Sequence, residues 1–184
     1  MKRIAIAVSV LAFALPLAAF ARDWKVDPAR SALTFTGTYQ GEKFEGRFRR
    51  FDAKIDYDPA DLAHAKFDVS VDVASVDTAN TERDQALPGK DFFDTARFPR
   101  AHFVTTRFRK STNGAVLAEG MLSLRGISKP ATLTVKFAQA RSGATLDVDT
   151  TLKRLDFGVG GGDWADTSMI GDEVIVRGHL VLLP

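Results

Sequence analysis

The stretch from residue 132 to residue 152, TLTVKFAQARSGATLDVDTTL, indicates how this chain folds. Apolar side chains occupy alternate positions on both sides of a central Ser142-Gly143 pair; they are Leu133, Val135 and Phe137 before it and Leu146, Val148 and Leu152 after it. Strict alternation is typical of a strand with one face buried and one in water. A Ser-Gly pair between two such runs is a turn signal. The stretch therefore predicts two antiparallel strands joined by a turn.

The same two-residue period recurs along the chain, in segments 32–39, 67–73, 116–124 and 174–182. Turn signals separate these segments, and Asn113-Gly114 is a strong hairpin signal. We expect about eight strands, or ten with short edge pieces, and little helix. Many short strands at regular spacing form a sandwich or a barrel. We predict an all-β, lipocalin-like antiparallel barrel with one or two short helices, because closure removes exposed strand edges.

Residues 1–21 have the layout of a secretory signal peptide. Lys2 and Arg3 precede an apolar run from Ile4 to Leu15, and Ala19-Phe20-Ala21 fits an A-x-A cleavage site. The apolar run is short for a membrane span, so we favour cleavage over a retained anchor. The sequence thus predicts a periplasmic protein whose mature part is one domain, residues 22–184, without a transmembrane anchor.

Charge and composition argue against several functions. The chain has 25 Lys and Arg against 23 Asp and Glu, and removal of Lys2 and Arg3 makes the two counts equal. A nucleic-acid partner is therefore not expected, since such proteins carry a positive surface. The chain has no Cys, and its three histidines are isolated in the sequence, so we expect no metal site. No G-x-S-x-G motif or other catalytic pattern is present, so we predict no catalytic residues.

The connection from Asp77 to Pro99 interrupts the strand pattern for longer than any other. Structureless connections above about 12–15 residues are uncommon in compact domains unless they have a function. We expect either a lid or plug over one end of the barrel or a flexible insertion. The adjacent Phe92 and Phe93 would form the entrance in the first case, or simply seal the barrel floor.

A short helix is predicted within this connection. Thr81 and Asp84 fit a start of the capping-box type, and Pro88-Gly89 supplies a stop. We therefore expect a helix of one or two turns from about Glu82 to Leu87.

A barrel of about eight strands is either filled by its own side chains or holds one small ligand. The chain has 14 Phe, many of them on predicted strands, which fits a packed core. Small residues on the same inward faces favour open space instead; they are Gly37, Ala118, Gly120 and Gly178. These residues favour a cavity slightly over a solid core.

Short motifs in a fixed order extend over nearly the whole mature chain. Each is weak alone, but their order and spacing together are specific. They are WKVDP at 24–28, SALTF at 31–35, GRFRRF at 46–51, SVDT at 75–78, RDQAL at 83–87, DFFD at 91–94, GMLSLRGI at 120–127, RLDFG at 154–158 and GDEV at 171–174. On these residues the chain resembles the YceI-like family of exported lipid- or polyisoprenoid-binding proteins.

The resemblance implies a barrel that holds a long isoprenoid or fatty-acid-like lipid in its lumen, with a role in lipid transport or storage and in stress response. It implies no cofactor other than the lipid. Burial of each CH₂ contributes about 0.8 kcal/mol, so a long chain can bind tightly with few polar contacts. The residues expected to line the cavity are Phe35, Phe48, Phe67, Val69, Leu87, Phe92, Phe93, Phe103, Leu122, Val135, Phe137, Phe157 and Trp164.

Candidates for contact with a polar headgroup are Arg83, Asp84, Arg125 and Arg154. Arginine suits bidentate contact with phosphate, although each arginine could instead pair with a nearby aspartate. Two further classes stay open. One is an enzyme acting on an isoprenoid lipid in the same cavity; the other is an outer-membrane barrel with apolar residues outside and a polar lumen. A homodimer is also left open.

Overall fold

The computed structural model describes residues 23–184, so the predicted signal peptide lies outside the described residues. The strands are β1 Asp23–Val26, β2 Ala32–Tyr39, β3 Glu42–Phe48, β4 Phe51–Asp56, β5 Lys66–Asp72, β6 Val76–Asp77, β7 Arg100–Lys110, β8 Val116–Leu124, β9 Ile127–Ala140, β10 Gly143–Lys153 and β11 Glu173–Leu183. One α-helix, α1, spans Thr81–Ala86, and 3₁₀ turns span Val73–Ser75, Arg154–Phe157 and Gly162–Trp164. Within residues 23–184, no helix is both long and apolar enough to span a bilayer.

Eight strands form a closed antiparallel barrel, as the alternating pattern predicts. Hydrogen-bonded neighbours follow the order β1–β4–β5–β7–β8–β9–β10–β11, and the ring closes where Lys25 of β1 pairs with Leu183 of β11. The other three strands continue the sheet from β11: β2 pairs with β11, β3 with β2, and β6 with β3.

Bends in the wall explain why eleven strand segments occur where about eight strands are predicted. Only Arg49 and Arg50 separate β3 from β4, and the 3₁₀ turn Val73–Ser75 separates β5 from β6. At this bend the Arg49 N–H donates to the Ser75 carbonyl at 3.0 Å, and the Arg50 N–H donates to the Ser75 hydroxyl at 3.0 Å. The wall thus changes direction while its backbone groups stay paired, as buried backbone requires.

One end of the barrel is filled by aromatic rings, and we call it the filled end. The Tyr57 ring lies between 5.1 and 5.8 Å, centroid to centroid, from those of Phe67, Phe108 and Phe137. The indole N–H of Trp24 donates to the Tyr57 carbonyl at 2.9 Å. These rings come from β1, β5, β7, β9 and the residue after β4, and they pack against one another.

Two of the small inward-facing residues, Gly37 and Gly120, lie against aromatic rings. The Phe44 ring lies over Gly37 and the Phe103 ring lies over Gly120, so close that a Cβ at either glycine would stand less than 3 Å from the ring. Ala118 is fully buried in the filled end. Gly37 also borders an internal cavity, as the sequence suggests, whereas Ala118 and Gly120 accommodate large neighbours.

Apolar side chains face the interior and polar ones face water. On β10, Leu146 is fully buried and Val148 packs against the filled end, while Asp147 between them is exposed. Its partner across the ladder, Lys136 on β9, is exposed as well. An outer-membrane barrel needs apolar residues outside and a polar lumen. The described strands have the reverse arrangement, which contradicts that alternative.

Candidate functional site

The other end of the barrel encloses a cavity of about 400 Å³, and we call it the hollow end. Its wall comes from β2, β3, β5, β7, β8, β10 and β11. The apolar lining residues are Leu33, Phe35, Phe44, Phe48, Val71, Val73, Ala86, Leu87, Phe92, Phe93, Ala101, Leu122, Leu124, Leu152, Phe157, Val159, Trp164, Ile170, Val174 and Val176. A concave, mainly apolar cavity of this size with few polar groups is typical of a small-molecule site.

A second, more open cleft of about 710 Å³ lies between β9 and β10. The ladder between these strands ends at the pair Thr134–Asp149, and beyond that point the Lys129 ammonium reaches Asp156 at 2.7 Å. Threonine, lysine and aspartate side chains form much of its lining. The cleft is larger than the internal cavity, but it is shallower and more polar, so the internal cavity is the better candidate for an apolar ligand.

The connection from Asp77 to Pro99 covers the cavity. It contains α1, as predicted, although the helix starts one residue early because Asn80 caps it instead of Thr81. The Asn80 side-chain oxygen accepts a hydrogen bond from the Arg83 N–H at 2.9 Å. Such a cap satisfies one of the unpaired N–H groups of the first turn.

Residues after the helix form a chain of hydrogen-bonded turns. The Phe93 N–H donates to the Leu87 carbonyl at 3.0 Å, and the Asp94 N–H donates to the Gly89 carbonyl at 2.9 Å. Phe93 is buried and its ring lies 6.0 Å from that of Phe48, while the Phe92 ring lies 5.7 Å from that of Trp164. The connection is therefore a structured cover rather than a flexible insertion.

Arg83 brings a cation to the cavity lining. Its guanidinium carbon lies 3.8 Å from the centroid of the Phe44 ring, a cation–π contact. No carboxylate among the described residues forms an ion pair with it. The neighbouring Asp84 points elsewhere, since it accepts hydrogen bonds from the Thr78 N–H at 2.8 Å and the Thr78 hydroxyl at 2.7 Å. Asp84 thus holds the start of the cover, and only Arg83 of this predicted pair lines the cavity.

Arg154 has a different role from the predicted headgroup contact. It is 6% exposed, and burial lowers the pKa of its guanidinium. Its N–H groups donate to the carbonyls of Val159, Gly160, Trp164, Ile170 and Gly171. A guanidinium has five donors, so all are used and none is left for a headgroup. Arg154 instead fixes the loop from residue 158 to residue 171, which we call the rim loop.

Arg125 also binds backbone rather than ligand. It lies in the turn between β8 and β9, and its guanidinium donates to the carbonyls of Gly158 and Lys90. These contacts tie the rim loop to the cover. The sequence predicted that arginines would contact a headgroup here. It could not show which of them would donate to backbone carbonyls instead, because those carbonyls are distant in the chain.

Part of the predicted cavity set lines the cavity, namely Phe35, Phe48, Leu87, Phe92, Phe93, Leu122, Phe157 and Trp164. The rest lie elsewhere. Phe67, Val135 and Phe137 belong to the filled end, and Phe103 covers Gly120. Val69 packs against the buried residues around the cavity but does not line it. Alternation predicts that these side chains face inward but not how far along the barrel axis they lie. The same alternation could have found Leu33, Val174 and Val176, which the prediction omitted.

Each histidine pairs with an aspartate on the barrel surface; the pairs are His64–Asp61, His102–Asp68 and His179–Asp147. In the part of the chain that the structure describes, no three His, Asp or Glu side chains are grouped where they could hold a metal ion.

A closed eight-stranded antiparallel barrel with an apolar internal cavity defines a lipocalin-like fold. More particularly, the chain belongs to the YceI-like domain family, whose sequence model matches residues 24–182. A UPF0312 protein of Shewanella denitrificans is 36% identical over 156 residues, which are 79% of this chain and 81% of that protein.

Solved structures show the same fold. BcnA of Burkholderia cenocepacia is 33% identical with a TM-score of 0.81, over 85% of this chain and 99% of that chain. The YceI protein of Campylobacter jejuni is 27% identical with a TM-score of 0.67, over 76% of this chain and 84% of that chain. A domain from Saccharophagus degradans described as polyisoprenoid-binding is 16% identical with a TM-score of 0.65, over 90% of this chain and 99% of that one, a likeness of fold alone.

Proposed function

We propose that this protein binds a long isoprenoid or related lipid in the hollow end of its barrel. The observation that carries the proposal is the enclosed apolar cavity of about 400 Å³ with a single unpaired cation in its described lining. Each CH₂ moved from water into such a cavity contributes about 0.8 kcal/mol. Membership of a family with a polyisoprenoid-binding relative of the same fold supports this ligand class.

The polar end of the lipid contacts Arg83. Its guanidinium stacks on Phe44 and keeps its N–H donors available, whereas those of Arg154 are all used by carbonyls. An anionic head such as a phosphate accepts two parallel hydrogen bonds from a guanidinium. The hydrocarbon then extends along the aliphatic wall formed by Leu122, Val174 and Val176.

The protein acts as a carrier or store in the periplasm. The signal-peptide layout of residues 1–21 supports export. Binding rather than catalysis is proposed because Glu82 is the single carboxylate among the described lining residues. A pair of carboxylates would be the simplest acid–base device for chemistry on such a lipid.

The proposal is tested by native mass spectrometry of protein purified without detergent, followed by solvent extraction. We expect an added mass that extracts as an apolar chain and is recovered unchanged after incubation. A variant, Val176→Trp, fills the cavity and should abolish the added mass. Ile175→Trp, on the opposite face of the same strand, is the matched control and should keep it. Wild-type protein that is always empty, even after incubation with polyprenyl phosphate, would contradict the proposal, and a chemically altered lipid would favour an enzyme.

A further inference from the structure

Large apolar side chains gather at the mouth of the cavity and point into water. Tyr39 ends β2 and forms an isolated bridge with Ile170, and the Gln40 N–H donates to the Met169 carbonyl at 2.8 Å. The carbonyls of Trp164 and Ile170 both accept from the same Arg154 nitrogen at 2.8 Å. These contacts bring the rim loop and the end of β2 together, and we call Tyr39, Trp164 and Met169 the apolar rim.

The apolar rim is exposed although its residues are large. Tyr39 is 38%, Trp164 39% and Met169 40% exposed, and they account for most of the large apolar side chains that the described surface exposes. Single exposed apolar residues are ordinary, but a cluster of them marks an interaction site. The described residues from Gly162 to Met169 are exposed without interruption, so nothing in the described chain covers this surface.

The chemistry of the apolar rim fits a lipid surface. Tyrosine and tryptophan combine an apolar ring with one polar atom, which suits them to the boundary between water and the hydrocarbon of a bilayer. Tyr39 and Trp164 line the cavity as well as its outer edge, so the apolar surface is continuous from the outside to the interior. A lipid that leaves a bilayer at this point reaches the cavity without crossing water.

The charge around the apolar rim selects among the surfaces that could cover it. Taken together, the hairpin 38–44, α1 and the loop 161–170 carry four carboxylates against two cations, apart from Asp84, which binds Thr78. The carboxylates are Glu42, Glu82, Asp163 and Asp166, and the cations are Lys43 and Arg83. Two copies of this surface would repel each other, since an isologous contact places like charges together. An anionic bilayer would be repelled for the same reason. A zwitterionic lipid surface has no net charge, so neither electrostatic repulsion applies to it.

We propose that the apolar rim docks this protein onto a zwitterionic lipid surface, with the mouth of the cavity against the bilayer. This inference rests on the proposed function only in that docking serves the transfer of a lipid. The exposure and the charge of the apolar rim are observed independently of that function. Docking is weak and reversible, since a few interfacial side chains give far less affinity than a membrane-spanning segment.

The test is co-flotation with phosphatidylcholine vesicles and with vesicles containing phosphatidylglycerol. We expect wild-type protein to float with phosphatidylcholine, and less protein to float as the anionic fraction rises, with the loss reversed by salt. Met169→Asp places a carboxylate in the rim without altering the cavity lining and should lower the bound fraction about tenfold. Met121→Asp is the matched control, since Met121 is 39% exposed on the outer wall of β8. It should float like wild type.

Lipid loading, measured by native mass spectrometry on the same samples, separates this inference from the proposed function. A loaded wild-type protein that does not float overturns the docking inference and leaves the proposed function standing. A protein that is empty but floats in a Met169-dependent manner supports docking and contradicts lipid carriage. Equal loss of flotation in Met121→Asp and Met169→Asp overturns docking at the rim. A change of oligomeric state in Met169→Asp, seen by sedimentation, overturns it too, because the rim would then be a contact between copies.

Discussion

The two ends of this barrel are built from the same strands but differ in how their aromatic rings are distributed. In the filled end, the Trp24 ring of β1 lies 5.7 Å from the Phe137 ring of β9, so this contact crosses the barrel. The Tyr57 ring connects Phe137 to Phe67 and Phe108, which come from the paired strands β5 and β7. In the hollow end, the rings of Phe35, Phe44 and Phe48 all come from the neighbouring strands β2 and β3. They stack on one wall at 5.4–6.3 Å, while β8 and β11 contribute aliphatic side chains to the lining of the open centre.

The comparison shows that aromatic content alone does not close a barrel. The barrel is filled where rings such as those of Trp24 and Phe137 meet across it. It stays open where the rings of Phe35, Phe44 and Phe48 stack along one wall. The hollow end also depends on two arginines, because Arg154 and Arg125 hold the rim loop and the cover by backbone carbonyls. The ends should therefore respond differently to substitution.

The largest effect is expected from Phe67→Ala in the filled end. Phe67 is 1% exposed, and removal of a buried aromatic ring costs about 3–5 kcal/mol in the free energy of unfolding. Phe48→Ala, the comparable change in the hollow end, should cost less, since that ring is only partly buried beside an existing cavity. Urea unfolding of both variants measures the difference. Equal losses would mean that the two ends are packed alike.

The second-largest loss of stability is expected from Arg154→Lys, in the hollow end. An ammonium has three donors, so at least two of the five carbonyls lose their partner, at about 1–3 kcal/mol each. The loss should be local, with faster hydrogen exchange in the rim loop and little change in the filled end. Arg177→Lys, on the exposed face of β11, is the control and should leave both unchanged. Uniform loss of protection throughout the barrel would contradict this.

Arg83→Met should affect ligand binding more than stability. It removes the unpaired cation of the described lining while keeping an apolar side chain against Phe44. A charged hydrogen bond contributes about 1.5–3 kcal/mol, so affinity for a polyprenyl phosphate should fall at least tenfold. Affinity for the corresponding uncharged alcohol should not change. Titration of the two ligands against wild type and variant distinguishes the outcomes, and equal loss for both would exclude a headgroup contact.

The smallest effect is expected from Asp77→Asn, at the start of the cover. Hydrogen bonds from Arg47, from the Ala79 N–H and from Arg49 lower the pKa of Asp77 in the folded protein. A lowered carboxyl pKa stabilises the fold above the unfolded-state value of about 3.9, and this contribution is lost as pH falls through the folded-state pKa. Wild type should therefore be slightly more stable than the variant at pH 7, with the gap closing below about pH 4. Urea unfolding from pH 7 to pH 2.5 checks this, and a gap that widens in acid would reverse the sign.

Much of the fold is readable in the sequence because strand alternation is a local property. The runs at 133–137 and 146–152 predict paired strands, and they pair in β9 and β10 with Phe137 opposite Leu146. The short helix is also readable, since its cap and stop are adjacent in the chain, although the cap is Asn80 rather than Thr81. The connection from Asp77 to Pro99 stands out by its length, and the sequence left a lid or plug and a flexible insertion open. Its hydrogen-bonded turns and its share of the cavity lining distinguish the two.

Alternation and the ordered motifs predict the closed barrel, its inward-facing side chains and the family. The three-dimensional fold is needed to see that Phe67 and Phe137 fill one end while Phe35 and Phe48 line the other. The fold also shows that the Arg154 guanidinium donates to backbone carbonyls, whereas the Arg83 guanidinium stacks on the Phe44 ring. A two-residue period specifies which face of the barrel wall a side chain is on, but not where it lies along the barrel axis. That position depends on the register of strands that are distant in the chain, and so does the set of carbonyls within reach of a guanidinium.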